Sequence, residues 1–230
     1  MNNKAKKEQQ KTPPMPGMKS FAISFAAGYT SGIAGELFAT WQNGQFNSKG
    51  LTKPSFKDNC IISGSQQVAK DFVKAALKKN PKMLTLSKSN PFLFGAATGI
   101  PMWALTRIVA TPLQNRHNSK AKPYDGFMKS ILNDAAYHTI KNGLDEYCAA
   151  KIFPCILPKV DSMIVRKLVE GSIAGVIGGG SYVLAFPFKS ILTGQNISEA
   201  YSQFINNTPK VAIKKIAYTT VHPKYVQLLH

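Results

Sequence analysis

At 230 residues the chain has room for one substantial domain or a small membrane bundle. Charged residues make up only 17%, below the roughly 25% of a soluble globular protein, yet 29 Lys and Arg stand against 11 Asp and Glu for a net charge of +18. That balance calls for an anionic neighbour. Three cysteines, Cys60, Cys148 and Cys155, with no Cys-x-x-Cys, exclude a disulfide framework and a zinc-ribbon site.

Residues 1–18 are polar and proline-containing, with no apolar core of a secretory signal. They lack arginine and contain Glu8, unlike a cleavable mitochondrial presequence, so they read as a polar tail and any mitochondrial address would be internal. Residues 20–41 form the first apolar stretch, carry only Glu36 as a charge, and place Gly28, Gly32 and Gly35 on one helical face. Residues 57–79 then mix apolar and polar positions at helical spacing. A second apolar stretch, 91–112, contains Gly95 and Gly99 and one charge, Arg107; residues 127–153 follow it with a second mixed pattern. In the third, GSIAGVIGGGSYVLAFPF over 171–188, there is no charge, and Gly171, Gly175 and Gly179 share one helical face. Its mixed companion is 199–221, where Pro209 predicts a kink or break, and 223–230 reads as a C-terminal tail.

Gly28–Gly32, Gly95–Gly99 and Gly171–Gly175 thus place the same Gly-x-x-x-Gly pair in each apolar stretch, with starts 67 and 76 residues apart. Such a period signals repeated units. Two absent side chains on one face let another helix backbone come close. The expected fold is an all-α membrane protein: one six-helix bundle over 19–222, built from three degenerate two-helix repeats at about 19–82, 90–160 and 163–222. If the mixed helices lie on the membrane surface, three helices span instead of six. The basic residues cluster between the apolar stretches, for example Lys74, Lys78, Lys79 and Lys82, which suits lipid headgroups and not a nucleic-acid stripe.

This arrangement resembles the mitochondrial carrier family, which has three repeats of two membrane helices. In that family glycines lie in the first helix of each repeat, followed by a Pro-x-Asp/Glu-x-x-Lys/Arg signature at a kink. The matching residues here are Pro112 in the second unit and Pro187 in the third; the first unit has the glycines and no proline. Tyr124 and Gly126 match the Tyr-x-Gly that opens the family's connecting segment, with Asn142–Gly143 in place of its closing Glu-Gly. The signature acid is replaced by Gln114 and Lys189, and the base by His117 and Leu192. At the opposite gate, Tyr147 to Lys151 and Tyr218 to His222 keep an aromatic and a base but lack the acid. Only 28 residues separate Gly143 from Gly171, too few for a connecting helix and a complete second helix.

The resemblance implies a multi-pass protein of the mitochondrial inner membrane in contact with anionic lipid such as cardiolipin. The eroded gates imply that transport is lost and that the chain is an accessory subunit of a large complex, such as a respiratory-chain complex, with its other subunits as partners. The alternative is an active carrier for an anionic metabolite, with Arg107 and Lys189 as candidate contacts for an anion or a lipid. Arg107 would otherwise snorkel or pair with Glu36 or Glu170, and Lys189 has no evident partner. A further alternative is a glycine-rich translocase-like protein with four spans. No phosphate loop, His-Glu-x-x-His or Gly-x-Ser-x-Gly is present, so no catalytic residue, cofactor or metal ligand is expected. His138, four residues after Asp134, reads as half of a helix-face pair.

Overall fold

The computed structural model describes residues 14–45 and 54–229. Most of the expected tail 1–18 lies outside them. The described residues are all-α, without a strand. The helices are α1 (Met18–Gln42), α2 (Pro54–Lys78), α3 (Pro81–Ser89), α4 (Pro91–Asn115), α5 (Phe127–Tyr147), α6 (Met163–Leu184), α7 (Phe186–Thr193) and α8 (Ile197–Leu229). Beyond Tyr147, α5 runs on as a π-helical turn over Cys148–Ile152, one α turn over Phe153–Ile156 and a 3-10 turn over Leu157–Lys159.

Local chemistry sets these limits. Asn80 and Asn90 cap α3 and α4 by accepting from the N–H of Lys82 and Leu93, each with a proline in the first turn. Ser162 caps α6, and Asn196 accepts from the N–H of Glu199 at 2.9 Å at the start of α8. Gly194, at φ +70°, ends α7 in the left-handed region that glycine enters without a Cβ clash.

The expected kink at Pro187 coincides with a 46° bend between α6 and α7. Pro112 lies inside α4, which continues one turn past it to Asn115, where the Arg116 N–H reaches the Pro112 carbonyl at 3.0 Å. Likewise α8 passes Pro209 and Pro223 without a break, so residues 223–229, expected as a tail, are helical.

The long helices pack in chain order. α1 touches α2, α2 touches α4, α4 touches α5, α5 touches α6, α6 touches α8, and α8 returns to α1. Ring closure leaves the start of α1, the end of α8 and α3 at one end, and the end of α1, the start of α2 and the links 116–126 and 194–196 at the other. The segment 127–147, read above both as the mixed companion helix of the second unit and as a match to a family connecting segment, is the ring helix α5. Asn115 Nδ2 reaches the carbonyls of Lys122, Pro123 and Asp125 and folds the short link 116–126 on itself, so no connecting helix is needed.

The interior mixes apolar and polar side chains: Ile23, Val73, Phe94 and Met102 are buried together with Ser24, Ser31, Thr98, Thr106, Thr111 and Ser181, while Leu93, Ile108, Val176, Leu184, Ile191 and Leu192 face outward. By length and composition α4 is apolar enough to cross a membrane, and α6 with α7 qualifies as one bent span. The stretch 20–41, expected to be a third apolar span, forms α1 but falls short of that hydropathy because serine, threonine and glycine dilute its apolar residues.

Candidate functional site

Two kinds of contact alternate around the ring. The first is glycine contact. A Cβ built on Gly28 would lie 2.9 Å from the Ser63 carbonyl and the Gly64 Cα of α2, and one on Gly32 would lie 3.0 Å from the Cys60 Cα. On α4, Gly95 faces the Asn142 carbonyl, and a Cβ on Gly99 would lie 2.6 Å from the His138 carbonyl of α5. On α6, Gly171 faces Ile216, while Cβ atoms on Gly175 and Gly179 would come within 2.6 Å of the Thr208 carbonyl and 3.0 Å of the Phe204 carbonyl of α8. Each glycine-bearing helix therefore presses on the long helix that follows it. Gly35 departs from the single face proposed for α1: it turns to α8 and meets the Lys214 side chain.

Ion pairs occupy the other three interfaces. Lys210 of α8 meets Glu36 of α1 at 2.7 Å, and Asn59 Nδ2 donates to the same carboxylate at 3.2 Å. Asp58 of α2 meets Arg116 and, at 2.7 Å, His117, just beyond the end of α4. Lys189 of α7 meets Asp134 of α5 at 2.9 Å. Asp58 is almost fully buried, and a carboxylate there is tolerable only because it has two partners. Each of these contacts links a glycine-bearing helix, or the segment that directly continues it, to the long helix before it in the ring, toward the end that carries the links.

A further set ties α2 to α5, the two neighbours of α4. Lys70 lies 3.5 Å from Asp145, Lys74 pairs with Glu146, and Lys141 holds Asp145 from within α5 at 2.7 Å. Lys214 of α8 donates to Ser63 of α2 at 2.8 Å, bridging the two neighbours of α1.

No family model, curated protein or solved structure matches this chain. The site is therefore read from its own geometry.

Arg107 and Lys189 have different surroundings. Lys189 was expected to lack a partner; Asp134, 55 residues earlier on α5, supplies it, and the Lys189 ammonium also lies 5.4 Å from the Tyr182 ring centre. Arg107 does not reach Glu36, which Lys210 occupies. Its Nη1 donates to the Gln114 side-chain carbonyl at 2.8 Å, its guanidinium lies over the Trp103 ring, and among the described residues it forms no ion pair with Glu170 or any other acid. His138 does not pair with Asp134. It is buried and stacks on Trp103 at 4.0 Å, and Trp103 in turn donates to the Ser130 carbonyl at 3.3 Å.

Two hollows adjoin this framework. A polar cleft of about 490 Å³ opens at the link end between α5, α7 and the start of α8, with Lys129, Asp134, Lys189, Glu199 and Gln203 in its wall. An apolar groove of about 430 Å³ runs outside between α2 and α4, lined by Phe72, Leu77, Leu105 and Ile108. Among the described residues no group of three His, Cys, Asp or Glu side chains is placed to hold a metal ion.

The ion pairs lie off the family's pattern. That pattern places acids after Pro112 and Pro187 and just after an aromatic residue. Asp145 and Glu146 instead precede Tyr147, and Glu36, Asp58 and Asp134 sit on neighbouring helices. Matching each interface for opposite charge would have found them.

Proposed function

We propose that this chain is a membrane bundle of three degenerate two-helix repeats, similar in plan to a mitochondrial carrier, that no longer transports and serves as a structural subunit. Its setting is the mitochondrial inner membrane, within a large assembly such as a respiratory-chain complex. Anionic lipid meets the basic links. Support for a membrane setting comes from the many large apolar side chains that face outward, such as Leu93, Ile108, Val176, Leu184 and Ile191, together with the apolar length of α4. The cyclic order of six long helices and the glycine contact inside each pair support the repeat reading.

One observation carries the loss of transport. The charged groups near the ends of the glycine-bearing helices bond sideways, along the wall, to neighbouring helices. Alternating access needs two closed states stabilised in turn, with charges that meet across the opening and then part. Glu36, Arg116 and Lys189 already hold partners in the wall and are not free to make such a gate. Pairs of this kind stabilise one state and give the bundle a fixed surface.

The test is biochemical. Solubilised in mild detergent from its membrane, the protein should migrate with a large assembly in fixed stoichiometry. Purified and reconstituted, it should exchange labelled metabolites no faster than empty liposomes. A protein that migrates alone and exchanges a solute contradicts the proposal, as does one that stays in water without detergent.

A second reading, an active carrier for an anionic metabolite, is favoured by the buried Arg107, which has no carboxylate of its own. On that reading Arg107→Ala abolishes exchange, and the exposed Lys120→Ala leaves it intact.

A further inference from the structure

Arg107 is 8% exposed, on the inner side of α4. Its Nη1 is committed to Gln114, while its Nε is buried with no partner among the described residues. One turn further on, Thr111 is 1% exposed, and its hydroxyl also has no partner among the described residues. Arg107, Thr111 and Gln114 lie at i, i+4 and i+7, on one helix face. The Trp103 ring covers the guanidinium at 5.5 Å. With Nη1 turned to Gln114, the Nε–Nη2 edge is the free edge of the fork, the shape that receives two oxygens of a carboxylate or phosphate.

The charge is also uncompensated. Asp134 is the carboxylate whose field acts on Arg107, but it lies beyond ion-pair range and holds Lys189 at 2.9 Å. Two cations share one acid, which leaves a positive charge beside a neutral amide and an indole. A buried charge without a counter-charge is costly, and water satisfies its hydrogen bonds without neutralising it.

We infer that a small oxyanion binds inside the ring, held by the free edge of the Arg107 guanidinium and the Thr111 hydroxyl. The phosphate and carboxylate classes share the required chemistry. The site stands on these contacts alone. It does not depend on whether the bundle transports or on which assembly holds it.

The experiment uses the full chain in detergent and a low-salt zwitterionic buffer. Thermal unfolding is followed while sodium phosphate, sodium malonate or sodium chloride is added at matched ionic strength. Phosphate or malonate should raise Tm saturably, by about 5–10 °C at a hundredfold excess over Kd; whichever acts at lower concentration identifies the class. Arg107→Gln should remove the shift, and Thr111→Val should weaken binding about 5–10-fold by deleting one donor. Should Arg107→Gln fail to fold, equilibrium dialysis of labelled phosphate and labelled malonate against the unaltered protein and Thr111→Val decides. Saturable binding of either, weakened in Thr111→Val, supports the site; no saturable binding of either overturns it. An oxyanion shift that survives in Arg107→Gln, or one that chloride reproduces in full, also overturns it.

Discussion

Gly95→Ala and Gly99→Ala should each destabilise the protein, whereas Gly180→Ala should leave it equally or more stable. The chemical change is the same at all three sites, one methyl group. At Gly95 the new Cβ would fall inside 3 Å of the Asn142 carbonyl oxygen, and at Gly99 it would lie 2.6 Å from the His138 carbonyl and 2.7 Å from the Thr139 Cα. These obstacles are backbone atoms of α5. No rotamer change relieves them, so α4 and α5 must separate along their whole contact. Overpacking of this kind costs about 1–3 kcal/mol per site, and backbone obstacles place both glycines toward the upper limit. At Gly180 nothing lies within 4 Å. Alanine there should gain about 0.5–1 kcal/mol from its better helix propensity. Gly35→Ala should fall between these extremes, because its obstacle is the Lys214 chain and not a backbone. Thermal unfolding of the purified variants in one detergent measures the order, at roughly 2–4 °C per kcal/mol for a chain of this size. Equal Tm values for Gly95→Ala and Gly180→Ala would show that close backbone approach does not hold this bundle.

These glycines were legible in the sequence because the signal is an absence. A missing side chain at two positions one turn apart has one structural use, and its recurrence in three apolar stretches points to three equivalent interfaces. The helices around Arg107 and over 171–184 were legible because long uncharged runs have few other solutions. The partners of charged residues were not legible in the same way. Lys189 finds Asp134 only after α5 and α7 have been brought together, and nothing within one turn of Lys189 announces it. Gly126 misled for a related reason. Tyr124-x-Gly126 matched a connecting motif, yet the left-handed Gly126, at φ +74°, ends a short link and releases the chain into α5. Pro209 marked a kink or break, and the helix is not broken there. A proline removes one hydrogen bond, and a helix already packed on neighbours continues through that loss.

Glu146→Gln should loosen the end of the ring that carries the chain ends, and the effect should be specific to Lys74. These two groups are partly buried, with side chains 23% and 18% exposed, so their pairing lies between the limits of a surface bridge and an interior one. Breaking it should cost about 1–3 kcal/mol. Lys74→Met combined with Glu146→Leu should recover much of that loss, since an apolar pair leaves no stranded charge. The double-mutant cycle isolates the coupling. Lys141→Met, which removes the i,i+4 pair inside α5, is the control, and pairs of that spacing contribute about 0.2–0.5 kcal/mol. Opening of the same end can be read chemically. Cys148 is buried two residues beyond Glu146, while Cys155 is exposed. In a Cys155→Ser background, maleimide should label Cys148 slowly in the parent and about tenfold faster in Glu146→Gln, because 1.4 kcal/mol of lost local stability raises the open population tenfold. The tie spans α2 and α5 across α4, so its loss should free those helices from each other without unfolding the glycine contacts beneath. Unchanged Cys148 labelling together with a coupling energy near zero would reduce Lys74 and Glu146 to solvated charges and leave the glycine interfaces to hold that end alone.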